Sequence, residues 1–290
     1  MRRAQNRRPL SVERLDERIL LSGTPGNVWA YVHDGDLIVR GNGGDNGVEI
    51  MQLPNGAYQV TGTGGTTVNG GTDPVVLNGV DDDVKINLGR GNDSIAIRDA
   101  TVPDDLKIRD KYGDTQVDLS GVEVRDDLSV KLKDGNNFVQ LSEVTVGDDL
   151  NVKLKRGNNV LLLSEVCVGD DLKIRTGRGV DQVSLESVCV GDDLKIKTKG
   201  GDDQVSIADT DVGDDLKVYT GDGHDVVAID PTNVADKLKV KLGDGDDNLY
   251  MDNVTAKKIK LDAGDGTDWY ELTLVEARKI KVKGFEELAF

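Results

Sequence analysis

From Val84 to Ile280 the chain returns to one phrase at a fixed interval: an acidic pair, then an apolar residue that opens a short alternating segment. The apolar anchors are Val84, Leu106, Leu128, Leu150, Leu172, Leu194, Leu216 and Leu238 at 22-residue steps, then Ile259 and Ile280 at 21-residue steps. Units this short cannot bury an apolar face alone, so a period of this kind implies stacked repeats, a solenoid.

Laying the repeats over one another shows which positions face inward. Apolar residues fall on the anchor and two residues later, as in Leu106 and Ile108 or Leu194 and Ile196. Two further alternating pairs follow at 11 and 13 and at 16 and 18 residues past the anchor, as in Val117 and Leu119, then Val122 and Val124. Alternation with a period of two is the strand pattern. Between the first and second segments lie clusters such as Gly243-Asp244-Gly245-Asp246-Asp247, whose glycines permit the positive φ of tight corners. The chain is therefore expected to be all-β, a parallel β-helix of about ten 22-residue coils with three short strands each. A right-handed coil is expected from the handedness of parallel crossovers.

Composition agrees. Only 4% of residues are aromatic and 35 are glycine, leaving Val, Leu and Ile to fill the core columns. No apolar run approaches the roughly 20 residues of a membrane-spanning helix. The expected organisation is a basic tag at 1–23, irregular opening coils at 24–80, regular repeats at 81–283 and a C-terminal cap at 284–290 that brings Phe285 and Phe290 to the end of the stack.

The tag obeys other rules. It carries six arginines against Glu13, Asp16 and Glu17 and lacks the apolar core of an ordinary secretory signal. Arg7-Arg8-Pro9-Leu10 and Glu13-Arg14-Leu15-Asp16-Glu17-Arg18-Ile19-Leu20-Leu21-Ser22 resemble the Arg-rich tag ending in "LExRxLLS" that opens many exported proteins of planctomycete bacteria. That resemblance implies export or attachment to the cell surface.

A second resemblance concerns the corners. Gly221-Asp222-Gly223-His224-Asp225, Gly243-Asp244-Gly245-Asp246-Asp247 and Gly264-Asp265-Gly266-Thr267-Asp268 resemble the calcium-binding RTX nonapeptide repeat. It implies Ca²⁺ as a cofactor, with Asp222, Asp225, Asp244, Asp247, Asp265 and Asp268 as ligands, since calcium takes six to eight oxygens from carboxylates and carbonyls. The pattern departs from RTX in having one motif per coil. In the middle coils Thr115, Asn137 and Asn159 stand where the last Asp would be, and these can stack as neutral ladders without metal.

The acidic pairs ahead of the anchors, Asp104-Asp105 through Asp214-Asp215, would stack into a column of like charge. Beside it runs a basic stripe that includes Lys107, Arg109, Lys131, Lys153, Lys173, Arg175, Lys195 and Lys197. The stripe can neutralise the acids, and it is also the candidate surface for an anionic glycan or other cell-surface component. A net charge of −17 and the lack of interleaved aromatics argue against nucleic acid as a partner.

Cys167 and Cys189 occupy the same outward position of neighbouring coils, within reach of a disulfide. Catalytic residues are not expected. Acidic pairs repeated in every coil mark structure rather than one acid and one base, and His33 and His224 sit in no nucleophile or metal-ligand cluster. The reading is a non-catalytic exported or cell-surface structural or adhesive β-helix, stabilised by calcium. The alternatives are an anionic-polysaccharide-binding module or polysaccharide lyase-like β-helix, and a secreted RTX-like calcium-binding protein.

Overall fold

The computed structural model describes residues 26–286, so the basic tag and the last four residues of the expected cap lie outside the described residues. Every regular element in the described chain is a strand, and stacked parallel turns form a β-solenoid of about 9 turns. The stacking is set by the period. Leu128, Leu150, Leu172 and Leu194 lie opposite one another in parallel register, with Val130, Val152, Ile174 and Ile196 beside them. Both sets are buried. The columns of Val, Leu and Ile on all sides of the coil form one continuous core from Val28 to Leu261.

The middle turns hold a short first strand and a longer second one, as in Leu128–Lys131 and Phe138–Val146. In the later coils Gln204–Ala208 and Thr210–Val212 stay separate and Thr232–Asp244 runs a third strand into the next first strand, but from Ser94 to Val190 the second and third strands expected from sequence are a single nine-residue strand, bent at one residue. That residue lies in the left-handed region, at φ 49° in Asp99, 54° in Glu143, 56° in Glu165 and 56° in Ser187. One left-handed residue reverses the side-chain alternation, so Leu141 and Val144 both point into the core although they are three residues apart.

The glycines at the turns have a steric reason. A Cβ on Gly191 would lie 1.9 Å from the Gly169 carbonyl oxygen, and one on Gly245, at φ 138°, would lie 2.0 Å from that of Gly223. Successive coils approach too closely there for any side chain.

Residues 26–80 form an opening coil and an antiparallel cover. Asp36–Gly41 and Gly47–Gln52 pair in parallel with Val84–Arg90 and Ser94–Val102, which makes them a true first turn. Asn27–His33 then pairs antiparallel with Asp36–Gly41, Tyr58–Thr63 antiparallel with Gly47–Gln52, and Val75–Leu77 antiparallel with Tyr58–Thr63. The stretch 61–74 contributes the end of one of these strands and the short strand Thr67–Val68. At the other end Phe285 packs edge-on against Tyr270, ring centroids 5.0 Å apart.

Candidate functional site

The corner after the first strand places one polar residue of every regular turn inside the coil. Asp93, Thr115, Asn137, Asn159, Asp181, Asp203, Asp225, Asp247 and Asp268 are all buried, none more than 2% exposed. From Thr115 onward they form a ladder: each backbone N–H donates to the side-chain oxygen of the equivalent residue one coil later. Asp181 donates to Asp203 Oδ1 at 2.8 Å, Asp203 to Asp225 Oδ1 at 2.8 Å, Asp225 to Asp247 Oδ1 at 2.7 Å and Asp247 to Asp268 Oδ1 at 2.9 Å. Asp268 N–H completes the series on Glu286 Oε2.

Two chemistries share this ladder. In the amide section Asn137 Nδ2 donates to the Gly135 carbonyl at 2.9 Å and to Asn159 Oδ1 at 2.8 Å, so the side chain is satisfied within the protein. In the carboxylate section the second oxygens of Asp93, Asp181, Asp203, Asp225, Asp247 and Asp268 are buried with no hydrogen-bond partner. A buried, half-satisfied carboxylate is costly as an anion. Burial accordingly pushes Asp93 up to about 8, with the Asp110 carboxylate adding to the rise, Asp203 up to about 7 and Asp247 up to about 6. Burial also raises Asp181, Asp225 and Asp268. The Thr176, Thr198 and Thr220 hydroxyls, one beside each of Asp181, Asp203 and Asp225, work against that rise. The sequence signal for these threonines is Thr in a column where Leu88, Leu132, Leu154 and Leu242 stand in other coils.

The six residues expected to bind calcium therefore divide into two sets. Asp225, Asp247 and Asp268 are inside the corner, while Asp222, Asp244 and Asp265 are exposed on its outer side and stacked in register with one another. Asp181 and Asp203 share the geometry of the inner set.

The acidic pairs at the other corner are also divided by geometry. The second Asp of each pair accepts the backbone N–H of its counterpart one coil later, as Asp171 Oδ1 does from Asp193 at 3.0 Å. Except at Asp127, its other oxygen meets a lysine. Lys107 bridges Asp83 at 2.8 Å and Asp105 at 2.6 Å, Lys173 bridges Asp149 at 3.2 Å and Asp171 at 2.6 Å, and Lys217 bridges Asp193 at 2.8 Å and Asp215 at 3.0 Å. Against the desolvation that would raise it, the Lys173 ammonium and the Asp193 N–H hold Asp171 below the ordinary carboxylate range. The first Asp of each pair points outward, and desolvation together with the neighbouring aspartates lifts Asp148 and Asp192.

The basic stripe thus has two roles. Lys107 and Lys173 belong to the clamp on the acids. Among the described residues, Arg109, Lys131, Lys153, Arg175, Lys195 and Lys197 form no salt bridge. Cys167 and Cys189 stand opposite each other in adjacent strands, their Cα atoms 4.6 Å apart, and are joined as a disulfide. His33 lies at the exposed tip of the first hairpin beside Asp34, and His224 Nδ1 accepts the Asp246 N–H at 3.0 Å on the corner surface. Compared with protein-family models, with curated proteins and with solved structures, the chain matches none.

Proposed function

We propose that this protein is a non-catalytic structural rod of the cell exterior, with a C-terminal half stiffened by calcium held along the inner corner column. The observation that carries the calcium reading is the run of buried, partnerless second oxygens at Asp181, Asp203, Asp225, Asp247 and Asp268. A buried carboxyl oxygen without a hydrogen-bond partner in each of five successive coils is a donor set suited to a hard divalent cation, which takes carboxylate and carbonyl oxygens alike. The glycine carbonyls of the same corners are the further donors available. The exposed Asp222, Asp244 and Asp265 raise the local cation concentration outside the corner.

The exterior location rests on two features. The N-terminal tag resembles an export tag, and a disulfide on an outward column is suited to an oxidising compartment. The structural role rests on repetition: the acidic and basic side chains recur coil after coil, so no pair of carboxylates is set apart as acid and base.

The test is thermal unfolding of the full chain, followed by circular dichroism, in millimolar Ca²⁺ and in chelator, with the disulfide intact. Calcium is expected to raise the midpoint by several degrees and Mg²⁺ by much less, because Mg²⁺ demands a tighter octahedral shell. Coincident curves in calcium and chelator overturn the calcium reading.

A further inference from the structure

From Leu106 to Leu238 the third residue after each anchor builds a column whose cations form no ion pair, bounded by Asn87 at one end and Asp262 at the other. It runs Arg109, Lys131, Lys153, Arg175, Lys197, Tyr219 and Lys241, each opposite the next in parallel register with no bulge. Strands in a sheet are about 4.8 Å apart, so six cations and one phenol ring form a straight line along the rod axis. None of the six cations forms a salt bridge among the described residues. The fifth position extends the line sideways with the exposed Lys111, Lys133, Lys155 and Lys199.

The contrast lies two residues away on the same strands. There Lys107, Lys173 and Lys217 at the first position are each fixed between aspartates of successive coils, as Lys217 is between Asp193 and Asp215, while Lys195 and Lys239 form no salt bridge among the described residues. The molecule thus clamps part of its inner acid column and leaves the third-position cations open. Tyr219 is the one interruption, and it is clasped: Lys197 Nζ lies 5.1 Å and Lys239 Nζ 4.9 Å from its ring centroid. A ring so placed offers an apolar surface between charges.

We infer that this face binds a linear anionic polysaccharide lying along the rod axis, its carboxylate or sulfate groups on the third-position cations and one sugar ring against Tyr219. A chain polymer fits because the cations repeat along one straight line and the ribbon between third and fifth positions is only about 7 Å wide. Nucleic acid fits worse. The exposed Asp126, Asp148, Asp170 and Asp192 border the first-position side and repel a broad polyanion, and a single aromatic cannot stack successive bases. The inference is independent of calcium and goes beyond the structural role proposed above.

The experiment measures binding of the full chain to polygalacturonate, to heparin, to neutral dextran and to a single-stranded oligonucleotide. It is run in chelator at low and at physiological salt. Three proteins are compared: wild type, Lys131→Gln/Lys153→Gln/Lys197→Gln, and Lys257→Gln/Lys258→Gln/Lys279→Gln, which removes equal charge from the corner ahead of the last two anchors. Wild type is expected to bind one or both acidic polysaccharides and not dextran, with affinity falling steeply as salt rises. The first variant should lose roughly ten-fold or more of that affinity through fewer released counterions, and the second should stay within about two-fold. Tyr219→Ala should weaken binding without changing its salt dependence. Absence of binding to both acidic polysaccharides, equal loss in the two triple variants, or tighter binding of the oligonucleotide each overturns the inference. Circular dichroism of every variant shows whether it is folded.

Discussion

Asp225 donates its backbone N–H to Asp247 Oδ1 at 2.7 Å, and the other oxygen of Asp247 is buried with no partner. That half-satisfied state makes stability depend on pH in a specific direction. Asp247, Asp203 and Asp93 have folded pKa values raised to about 6, 7 and 8, above the ordinary 3.8. A carboxyl with a raised folded pKa holds its proton more tightly when folded. Its stabilising contribution is complete below the ordinary value and is lost as pH rises through the folded one. In chelator the free energy of unfolding is therefore expected to fall between pH 5 and pH 8, by a total on the order of a few kcal/mol, and the thermal midpoint with it. Asp83, Asp171 and Asp215 have lowered values and act with the opposite sign, but their contribution is lost only as pH falls below 3.8. Calcium should flatten the slope, because it binds the ionised form. A midpoint that rises from pH 5 to pH 8 in chelator would show that these carboxylates are compensated by other means.

The amide section of the same column supplies the control. Asn137 and Asn159 donate Nδ2 to the carbonyls of Gly135 and Gly157 two residues earlier while Oδ1 of Asn159 continues the ladder. Asp203 and Asp225 have glycines at the same offset, Gly201 and Gly223. Asp203→Asn/Asp225→Asn should therefore be more stable than wild type in chelator and should lose most of the calcium response. Asp203→Ala/Asp225→Ala keeps neither the acceptor nor the donor and should lose about 1–3 kcal/mol per site. Urea unfolding of the three proteins with and without calcium separates these outcomes. Equal destabilisation by Asn and Ala would mean that the charge itself holds the corner.

Much of this fold is legible in the sequence because every coil repeats the constraint. Leu128, Leu150 and Leu172 announce their shared column by spacing alone, and Cys167 and Cys189 announce their pairing by falling in the same column. The bend inside the long strand was not legible. Glu143 and Glu165 occupy left-handed conformations that their residue type does not favour, and stacked neighbours impose them. The inward direction of Asp181 was hidden for a related reason: Gly-Asp corners serve equally for surface turns and for buried ladders, and only the placement of the corner backbone decides. Nor does spacing reveal which lysines are clamped. Lys173 and Arg175 belong to the same stripe two residues apart, yet only Lys173 reaches an aspartate.

That difference can be measured. Lys217 spans Asp193 and Asp215 and is 23% exposed at its side chain, so its pairs are partly screened by solvent. Lys217→Met leaves Asp193 without a cation and Asp215 with Lys237 alone, and should lose about 1 kcal/mol at low salt, with most of the loss disappearing in molar salt. Lys153→Met removes a cation that has no partner and should be neutral or slightly stabilising in the absence of ligand. Denaturant unfolding at two salt concentrations makes the comparison. A loss at Lys153 equal to that at Lys217 would contradict the division of the stripe.

The disulfide offers a test of how local stability is in this rod. Cys167 and Cys189 are 22 residues apart in sequence, and loop-closure entropy for a ring of that size corresponds to about 3 kcal/mol. In a solenoid each turn touches only its neighbours, so the bond tightens the coils that hold it and leaves distant coils almost unaffected. Cys167→Ser/Cys189→Ser should lower the midpoint by several degrees. Hydrogen exchange should speed up in Val160–Val168 and Gln182–Val190 before it changes in Gln116–Val124. Reductant should reproduce the effect in wild type and do nothing to the double variant. Uniform acceleration along the whole rod would show instead that the coils unfold as a single cooperative unit.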